Sequence, residues 1–374
     1  MPLEDREKTV FVSIACIGND TELIRTVRSC VENAENPKRI YVGINLVYGQ
    51  HISDNESYIY SLEQELSNIK NARYVVTIIK NPLSIARDRN VASKLYRGED
   101  YILQIDAHCY FTSGWDAELI KSLEEAQKIT NNKKTLLTAT LPKYNLNENA
   151  IVDIPVPEMV AFGYGFWENE FLDIFGDQPE KNIIPSWRHT FPEMLSWRLE
   201  KLVQSSGFAP ALKTTGAFVF GNKHYADHML IAEHVVFWEE EIIHSIELLW
   251  AGFSFVYPYI RANVYHYYQI EQTNTGRGHR SGIGQSILAS VLESTDLKAD
   301  QITWEQLEVY NVAWREQMYQ SFKAYMENEE NQEKVKKFEK YSGMNFKTGL
   351  AAFEFPLYYA NRNAIPIEEE THVG

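Results

Sequence analysis

The stretch Tyr-Ile-Leu-Gln-Ile-Asp-Ala-His, residues 101–108, decides the fold that the sequence predicts. Tyr101–Ile105 has the length and apolar character of a buried strand, and this run ends abruptly at Asp106 and His108. In open α/β sheets, ligands gather at the carboxyl ends of the strands. The stretch therefore predicts a strand that carries an acidic and an imidazole side chain to a ligand site.

Strand and helix patterns alternate on the N-terminal side of this stretch. Thr9–Ala15 is a continuous apolar run of strand length, and residues 23–31 carry apolar side chains at helical spacing. Further strands are predicted at Ile40–Asn45 and Tyr74–Ile79, with a helical pattern over residues 58–69 between them. This alternation indicates a parallel sheet with crossover helices.

Regular patterns continue on the C-terminal side. Helices are predicted over Asp116–Lys128 and from Glu239 onward. Strands are predicted at Thr135–Thr140, Thr215–Phe220 and Phe253–Tyr257. The predicted fold class is therefore α/β, with a mostly parallel, Rossmann-like sheet flanked by helices.

Two regions differ from this pattern. Pro142–Pro210 is rich in Pro, Gly, Trp, Phe and Asn with weak periodicity, which suggests long ordered loops over a site. After Gly282 the pattern becomes helical and charged. We therefore predict one α/β domain over residues 1–282 and a helical C-terminal extension over residues 283–374.

The bulk composition restricts the class of protein. The 374 residues carry a formal charge of -15, which argues against non-specific binding to nucleic acid or anionic membrane. No apolar run of the sequence has the length of a membrane span, and the charged N-terminus does not resemble a signal peptide. Three cysteines are too few and too scattered for a disulfide framework. A cytoplasmic protein without membrane partners is expected.

A metal site is the first chemical hypothesis. Asp106 and His108 are two residues apart just past a buried strand, so both can reach one divalent ion, and a carboxylate with an imidazole suits Mn²⁺. His266 could supply a third ligand from a distant part of the chain. Alternatively, Asp106 caps a turn, His108 is a partly buried polar residue, and His266 is a core histidine among tyrosines.

Charged residues elsewhere suggest phosphate and substrate contacts. Arg87 lies near a predicted helix start, where an anion is favoured and a guanidinium can pair with a diphosphate. Arg277-Gly-His-Arg280 is a basic, Gly-containing segment that could close over a phosphate. The acids at 239–241 could project into the pocket. The alternatives are a helix-surface arginine, a solvated loop, and acids stabilised by the helix dipole.

Four segments together resemble the UDP-GlcNAc transferases that modify hydroxyproline on the cytoplasmic protein Skp1, and more remotely the polypeptide GalNAc-transferases. They lie at residues 10–40, 86–120, 214–258 (in two stretches, 214–229 and 238–258) and 263–268. The second segment, from Ala-Arg to Asp-x-His and Gly-Trp-Asp, is the most specific, and the collinear order of all four carries the likeness. The resemblance implies a GT-A-type nucleotide-sugar-binding fold.

The resemblance also implies residue roles. Asp106, His108 and His266 would hold Mn²⁺ (or Mg²⁺), with Asp106 also counted as catalytic. Arg87 and Ala15 would contact the donor.

Further roles are implied beyond the metal. Arg277 and Arg280 would assist at the diphosphate. Glu240 and Glu241 match the family's Glu-Glu pair and would orient sugar or acceptor, although Glu239 gives an equally plausible register.

The implied activity is metal-dependent, retaining transfer of a sugar, most simply GlcNAc, from a UDP-sugar to a hydroxyl of a protein. A front-face displacement is expected, in which a diphosphate oxygen takes the acceptor's proton. Two alternatives remain open: the same chemistry on a hydroxymethylated DNA base or a glycan, with DNA disfavoured by the acidic charge, and a non-catalytic sugar-nucleotide or glycan-binding module. The Pro142–Pro210 region departs from the family's pattern, and this departure concerns the acceptor.

Overall fold

A computed structural model gives the fold of the chain. It describes the following residues: 8–17, 20, 22–48, 56–78, 84–139, 141–142, 144–147, 150–153, 208–211, 213–232, 235, 239–258, 263–267, 320–342, 344–345 and 350–351.

An eight-stranded sheet forms the centre of the molecule, in the order β3-β2-β1-β4-β10-β6-β11-β9. Its strands are β1 Val10–Ile17, β2 Ile40–Tyr48, β3 Ala72–Ile78, β4 Tyr101–Asp106, β6 Thr135–Thr138, β9 Phe208–Pro210, β10 Phe218–Asn222 and β11 Ser254–Pro258. Only β9 and β10 run antiparallel to their neighbours. The predicted α/β class with a mostly parallel sheet is therefore confirmed.

Helices flank this sheet and separate its parallel strands. They are α1 Leu23–Glu32, α2 Glu56–Ser67, α3 Ile85–Ser93, α4 Trp115–Thr130, α5 Glu239–Trp250 and α6 Gln332–Ser342. Short 3-10 helices lie at Pro37–Arg39, Lys223–His228 and Glu329–Asn331. The remaining short strands are β5 Cys109–Phe111, β7 Asn145–Asn147, β8 Ala150–Asp153, β12 Val264–His266, β13 Met344–Asn345 and β14 Leu350–Ala351.

The strand order reverses between β1 and β4. The chain adds β2 and β3 on one side of β1 and then returns through α3 to place β4 on the other side. Such a reversal opens a crevice at the carboxyl ends of the two strands. Ala15 pairs with Asp106 in the register of β1 and β4, so both residues lie at this crevice.

One strand begins later than the sequence pattern suggests. We expected a strand from Thr215, but β10 begins at Phe218. The Thr215 hydroxyl donates to the Ala139 carbonyl at 2.9 Å, and its N–H donates to the Thr138 hydroxyl at 2.9 Å. These side-chain contacts hold Thr215 in a turn ahead of the ladder.

A two-stranded sheet outside the main one brings distant segments together. In the β5–β12 pairing, His266 lies opposite Cys109 and Val264 opposite Phe111. The N–H of Tyr267 also donates to the His108 carbonyl at 2.8 Å. This small sheet fixes His266 beside the carboxyl end of β4.

Part of the predicted C-terminal extension is described, and it is helical at 320–327 and in α6. Phe322 and Phe338 are fully buried in the same core as the sheet. The hydroxyl of Tyr341 donates to the Ala211 carbonyl at 2.7 Å. The boundary at residues 282–283 lies outside the described residues, so the division into two domains stays a prediction.

Two further findings concern membranes and cysteines. Among the helices in the described ranges, none combines the length and apolar character needed to cross a bilayer. Cys16, Cys30 and Cys109 are buried thiols, and burial raises the pKa of each well above its usual value. They therefore behave as core residues.

Candidate active site

Asp106 is the last residue of β4 and the centre of a polar cluster at the crevice. Its Oδ1 accepts a hydrogen bond from Arg89 Nη2 at 2.9 Å, and its Oδ2 lies 3.2 Å from His266 Nε2. Burial opposes ionisation, but the hydrogen bond to His266 and the charge of Arg89 outweigh it, so the pKa of Asp106 is well below its usual range. Asp106 is therefore an ionised carboxylate.

His108 is oriented by an acid from the end of another strand. Its Nδ1 donates to Oδ2 of Asp20 at 2.7 Å, and Asp20 lies three positions after the last residue of β1. Burial lowers the pKa of His108, but the hydrogen bond and charge of Asp20 reverse this effect and raise it. A carboxylate on one imidazole nitrogen fixes the tautomer and leaves the other nitrogen available as a ligand.

His266 completes the cluster from β12. Its ring meets that of His108 edge to face with centroids 4.5 Å apart. Burial lowers its pKa, so the imidazole is neutral. Its backbone N–H donates to the Pro142 carbonyl at 2.8 Å, and its carbonyl accepts from Tyr144 N at 3.2 Å. The strand is thus held on both sides.

The residues present fit a divalent cation. Asp106, His108 and His266 each offer one ligand atom, and these atoms all lie within 4.8 Å of one another. A carboxylate with two imidazoles is a donor set suited to first-row divalent metals, including Mn²⁺. The three residues predicted as ligands are therefore in one place.

Arg89 bridges two carboxylates beneath this cluster. While Nη2 binds Asp106, Nη1 forms a short ion pair with Oε1 of Glu240. The side chains of Arg89 and Glu240 are only 8% and 2% exposed. Burial raises the pKa of Glu240, and the charge of Arg89 only partly opposes this, leaving it at about 7.

Glu241 lies at the same edge but binds a different partner. Its Oε1 accepts the N–H of Gly216 at 2.8 Å, and its Oε2 pairs with Lys213. The Gly216 carbonyl accepts from Gln104 Nε2 at 3.0 Å. Both predicted acids are thus engaged with the protein, and their role towards sugar or acceptor stays a prediction. The side chain of Glu239 is outside the described part.

Arg87 occupies the first turn of α3, as predicted, and its described ion pair is with Asp88. Its N–H is accepted by the Ser84 hydroxyl, which caps the helix. Its Nε donates to Asp88 Oδ1 at 3.3 Å, and burial raises the pKa of Asp88 to about 6. Nη2 of Arg87 is buried without an acceptor among the described residues, and its side chain is 30% exposed.

Two predicted site residues, Arg277 and Arg280, lie outside the described residues, as does most of the Pro142–Pro210 region. Their roles stay predictions.

Two residues of the cluster escaped the sequence analysis. Asp20 lies in a Gly-Asn-Asp stretch whose pattern predicts only a turn and a helix cap, and its Oδ1 does accept the Glu22 N–H at 2.9 Å. Arg89 lies two positions after Arg87, the residue that the sequence pattern favours. The signal for Arg89 is the run of three polar residues Asp88-Arg89-Asn90 in a crossover helix, and all three are buried together with Ala86 and Ala92.

A family model decides the family. The model described as Glycosyltransferase (GlcNAc) matches residues 84–275, which is just over half of the 374 residues. The chain belongs to the Glycosyltransferase (GlcNAc) family. The prediction of a glycosyltransferase is thereby confirmed, whereas the match does not single out the Skp1-directed group.

Solved glycosyltransferase structures are similar to this member of the Glycosyltransferase (GlcNAc) family. GalNAc-T7 with UDP, GalNAc and Mn²⁺ matches at 15% identity and a TM-score of 0.48, covering 88% of this chain and 58% of that one. S. aureus TarS 1-349 with UDP-GlcNAc matches at 11% identity and 0.38, covering 88% and 78%.

A third similar structure is the mannosyltransferase PcManGT from Pyrobaculum calidifontis with GDP-Man and Mn²⁺. It matches at 8% identity and a TM-score of 0.42, covering 86% of this chain and 74% of that one. No curated protein sequence matches the chain.

Proposed function

We propose that this protein is a metal-dependent retaining glycosyltransferase that moves a sugar, most simply GlcNAc, from a UDP-sugar to a hydroxyl of a protein acceptor. The observation that carries the proposal is the convergence of Asp106, His108 and His266 at the crevice of a family-assigned glycosyltransferase domain. The likeness of four segments to the Skp1-directed transferases supports the protein acceptor.

A divalent cation held by these three side chains would neutralise the charge that develops on the departing diphosphate. Asp106 enters this role already ionised, and His266 already neutral. Asp20 holds the His108 ring in one orientation. The ligands are thus arranged before any substrate binds, which is the preorganisation that electrostatic catalysis requires.

Arg87 is the donor-side residue of the proposal. It lies at the start of α3, where helix N–H groups favour an anion, and its buried Nη2 lacks an acceptor in the described part of the chain. We assign it to the UDP diphosphate. Ala15 lies opposite Asp106 on β1, where the small side chain leaves room for a ligand above the strand ends.

The proposed reaction is a front-face displacement. The bond between the sugar C1 and the diphosphate oxygen breaks, the bond from C1 to the acceptor oxygen forms on the same face, and the acceptor proton passes to the departing diphosphate oxygen. No protein base is needed for this balance. This agrees with the engagement of both Glu240 and Glu241 by other protein groups.

UDP release from a panel of UDP-sugars, with and without Mn²⁺, tests the proposal. We expect Mn²⁺-dependent release from one sugar, lost in Asp106→Asn and kept in Asp227→Asn. Asp227 is exposed in the 3-10 helix Lys223–His228. The N–H of Lys223, the first residue of this helix, donates to the carbonyl of Asp100, and Asp100 lies about 20 Å from Asp106 along β4 because a strand rises about 3.3 Å per residue. Full activity of Asp106→Asn would contradict the site.

The acceptor is tested separately with the donor so identified. A hydroxyproline peptide, the matching proline peptide and a hydroxymethylcytosine duplex are each incubated with enzyme, and mass spectrometry follows sugar addition. Addition to the hydroxyproline peptide alone supports the proposal. Addition only to the duplex would move the acceptor to DNA.

A further inference from the structure

Arg89 lies between Glu240 and Asp106 and pairs with both carboxylates. Oε1 of Glu240 pairs with Arg89 Nη1, and its Oε2 is buried without a hydrogen bond from the described residues. With 2% of its side chain exposed, Glu240 cannot reach a substrate while Arg89 keeps its place. A role in holding sugar or acceptor therefore does not explain its position.

The guanidinium of Arg89 is held by the Gly216 backbone as well as by its two carboxylate partners, Asp106 and Glu240. A Cβ built on Gly216 would lie 2.0 Å from Arg89 Nη1, so the guanidinium rests directly on the Gly216 backbone. That backbone is itself pinned by Gln104 at its carbonyl and by Glu241 at its N–H. Arg89 is consequently a fixed cation and not an adaptable side chain.

The combined charge of Asp106, Arg89 and Glu240 determines how strongly Asp106 can attract a cation. Arg89 alone would neutralise Asp106 and would also repel a divalent ion at the same carboxylate. Glu240 returns one negative charge, so the three groups carry a net charge of about −1 when all are ionised. The interior position makes each of these interactions stronger than it would be in water.

We propose that Glu240 is a charge-balancing positioning residue, which neutralises Arg89 so that Arg89 can orient Asp106 without weakening the metal site. The inference rests on the proposed function, because it assumes that Asp106 is a metal ligand. It differs from the sugar- or acceptor-orienting role that the resemblance implies, since Glu240 acts through Arg89 and touches no substrate.

The test is Mn²⁺ affinity, measured by electron paramagnetic resonance at pH 8, where Glu240 is ionised. Glu240→Gln should raise the Kd for Mn²⁺ by roughly 10- to 100-fold, the range found when groups supporting metal ligands are removed. Glu247→Gln is the matched control. Glu247 is on the same helix but pairs with Lys334 and the Tyr325 hydroxyl. The Kd of Glu247→Gln for Mn²⁺ should therefore stay within about twofold of the wild-type value.

A double variant separates charge from structure. Arg89→Gln combined with Glu240→Gln removes both charges and leaves Asp106 with its own. Its Kd should lie closer to wild type than that of Glu240→Gln alone. This variant removes Arg89 together with Glu240, so no guanidinium is left facing a neutral amide, and it remains measurable if Glu240→Gln fails to fold.

Different outcomes overturn different statements. Equal Mn²⁺ affinity in wild type and Glu240→Gln, or no recovery in the double variant, would overturn the charge-balancing role alone. An unchanged Mn²⁺ Kd together with a raised KM for the UDP-sugar would mean that Glu240 contacts the donor. A wild-type protein that binds no Mn²⁺, with or without UDP, would overturn the proposed metal site and this inference with it.

Discussion

Asp20, three positions after the last residue of β1, accepts a hydrogen bond at 2.7 Å from Nδ1 of His108, which lies just past β4. The two residues are joined across the point where the strand order reverses. A carboxylate behind a histidine fixes both the tautomer and the direction of the ring. The main sheet therefore sets the orientation of a ligand candidate through its topology.

Replacing Asp20 should weaken metal binding without removing a ligand. In Asp20→Asn the amide can no longer hold His108 by charge, and we expect Mn²⁺ affinity to fall roughly 10- to 100-fold. Titration of the protein with Mn²⁺, followed by electron paramagnetic resonance, measures this change, with Asp227→Asn as control. An unchanged Kd for Mn²⁺ would show that Asp20 acts only as a cap that accepts the Glu22 N–H.

Gly216→Ala should damage the site through Arg89. The new Cβ would lie 2.0 Å from Nη1, and the guanidinium cannot move away without leaving Asp106 or Glu240. We expect a stability loss of about 1–3 kcal/mol from overpacking, and a fall in activity of at least tenfold beyond it.

Gly221→Ala is the comparison for Gly216→Ala. Its Cβ would lie 2.5 Å from Leu136 Cδ2 in the core, so it should lower the unfolding free energy similarly and leave UDP release by the folded protein unchanged. Denaturant unfolding and UDP release are measured on both variants. Equal residual activity in the two would argue against a special role for the Arg89 contact.

Arg87→Gln should affect the donor and spare the metal. Because Arg87 binds neither Asp106 nor a histidine ligand, we expect the Kd for UDP to rise about tenfold, as when a charge-assisted pair is lost, at an unchanged Kd for Mn²⁺. Isothermal calorimetry of UDP in saturating Mn²⁺ measures the effect. A parallel loss of Mn²⁺ affinity in UDP-free protein would contradict this division of roles.

His244 on α5 should make stability depend on pH. Burial lowers its pKa to about 4, and its Nε2 donates to the His228 carbonyl at 2.8 Å. The folded pKa is below the unfolded value of about 6.5, so the unfolded chain binds more protons between these values. The contribution of His244 to the free energy of unfolding is fully present above pH 6.5 and is lost as the pH falls towards 4, by at most about 3 kcal/mol.

Denaturant unfolding of wild type and His244→Gln at pH 7.5 and pH 5 measures this contribution. The variant cannot titrate at this position, so its unfolding free energy should fall less over the same interval. Carboxylates elsewhere titrate in both proteins and cancel in the comparison. Identical losses in the two proteins would show that His244 is not the group responsible.

Much of the fold was predictable because its signals are local. The apolar runs that became β1, β2 and β4 each carry their own strand pattern, and the helical spacing between them needs no long-range information. Thr215 shows the limit of such patterns. Its propensity favours a strand, but contacts with Thr138 and Ala139, over 70 residues away, hold it in a turn.

The metal-ligand candidates were predictable for two different reasons. Asp106 and His108 follow from their place at the end of a buried strand. For His266 the residues alone left a metal ligand and a core histidine both open, and the resemblance of its segment to a known family favoured the ligand. The pairing of β5 with β12 is what places His266 beside Asp106. Each of these strands has only three residues, which is too short for a periodic pattern that would predict the pairing.

By itself, the sequence determined the α/β class, the carboxyl-end location of the site, and the three side chains that converge there. Only the tertiary structure decided that Arg89, rather than Arg87, holds Asp106, that Glu240 lies behind it, and that Asp20 orients His108. The physical reason is that the spacing of apolar residues, which predicts strands and helices, is a local property of the sequence. Whether a charge can be buried depends on which opposite charge the fold brings to it.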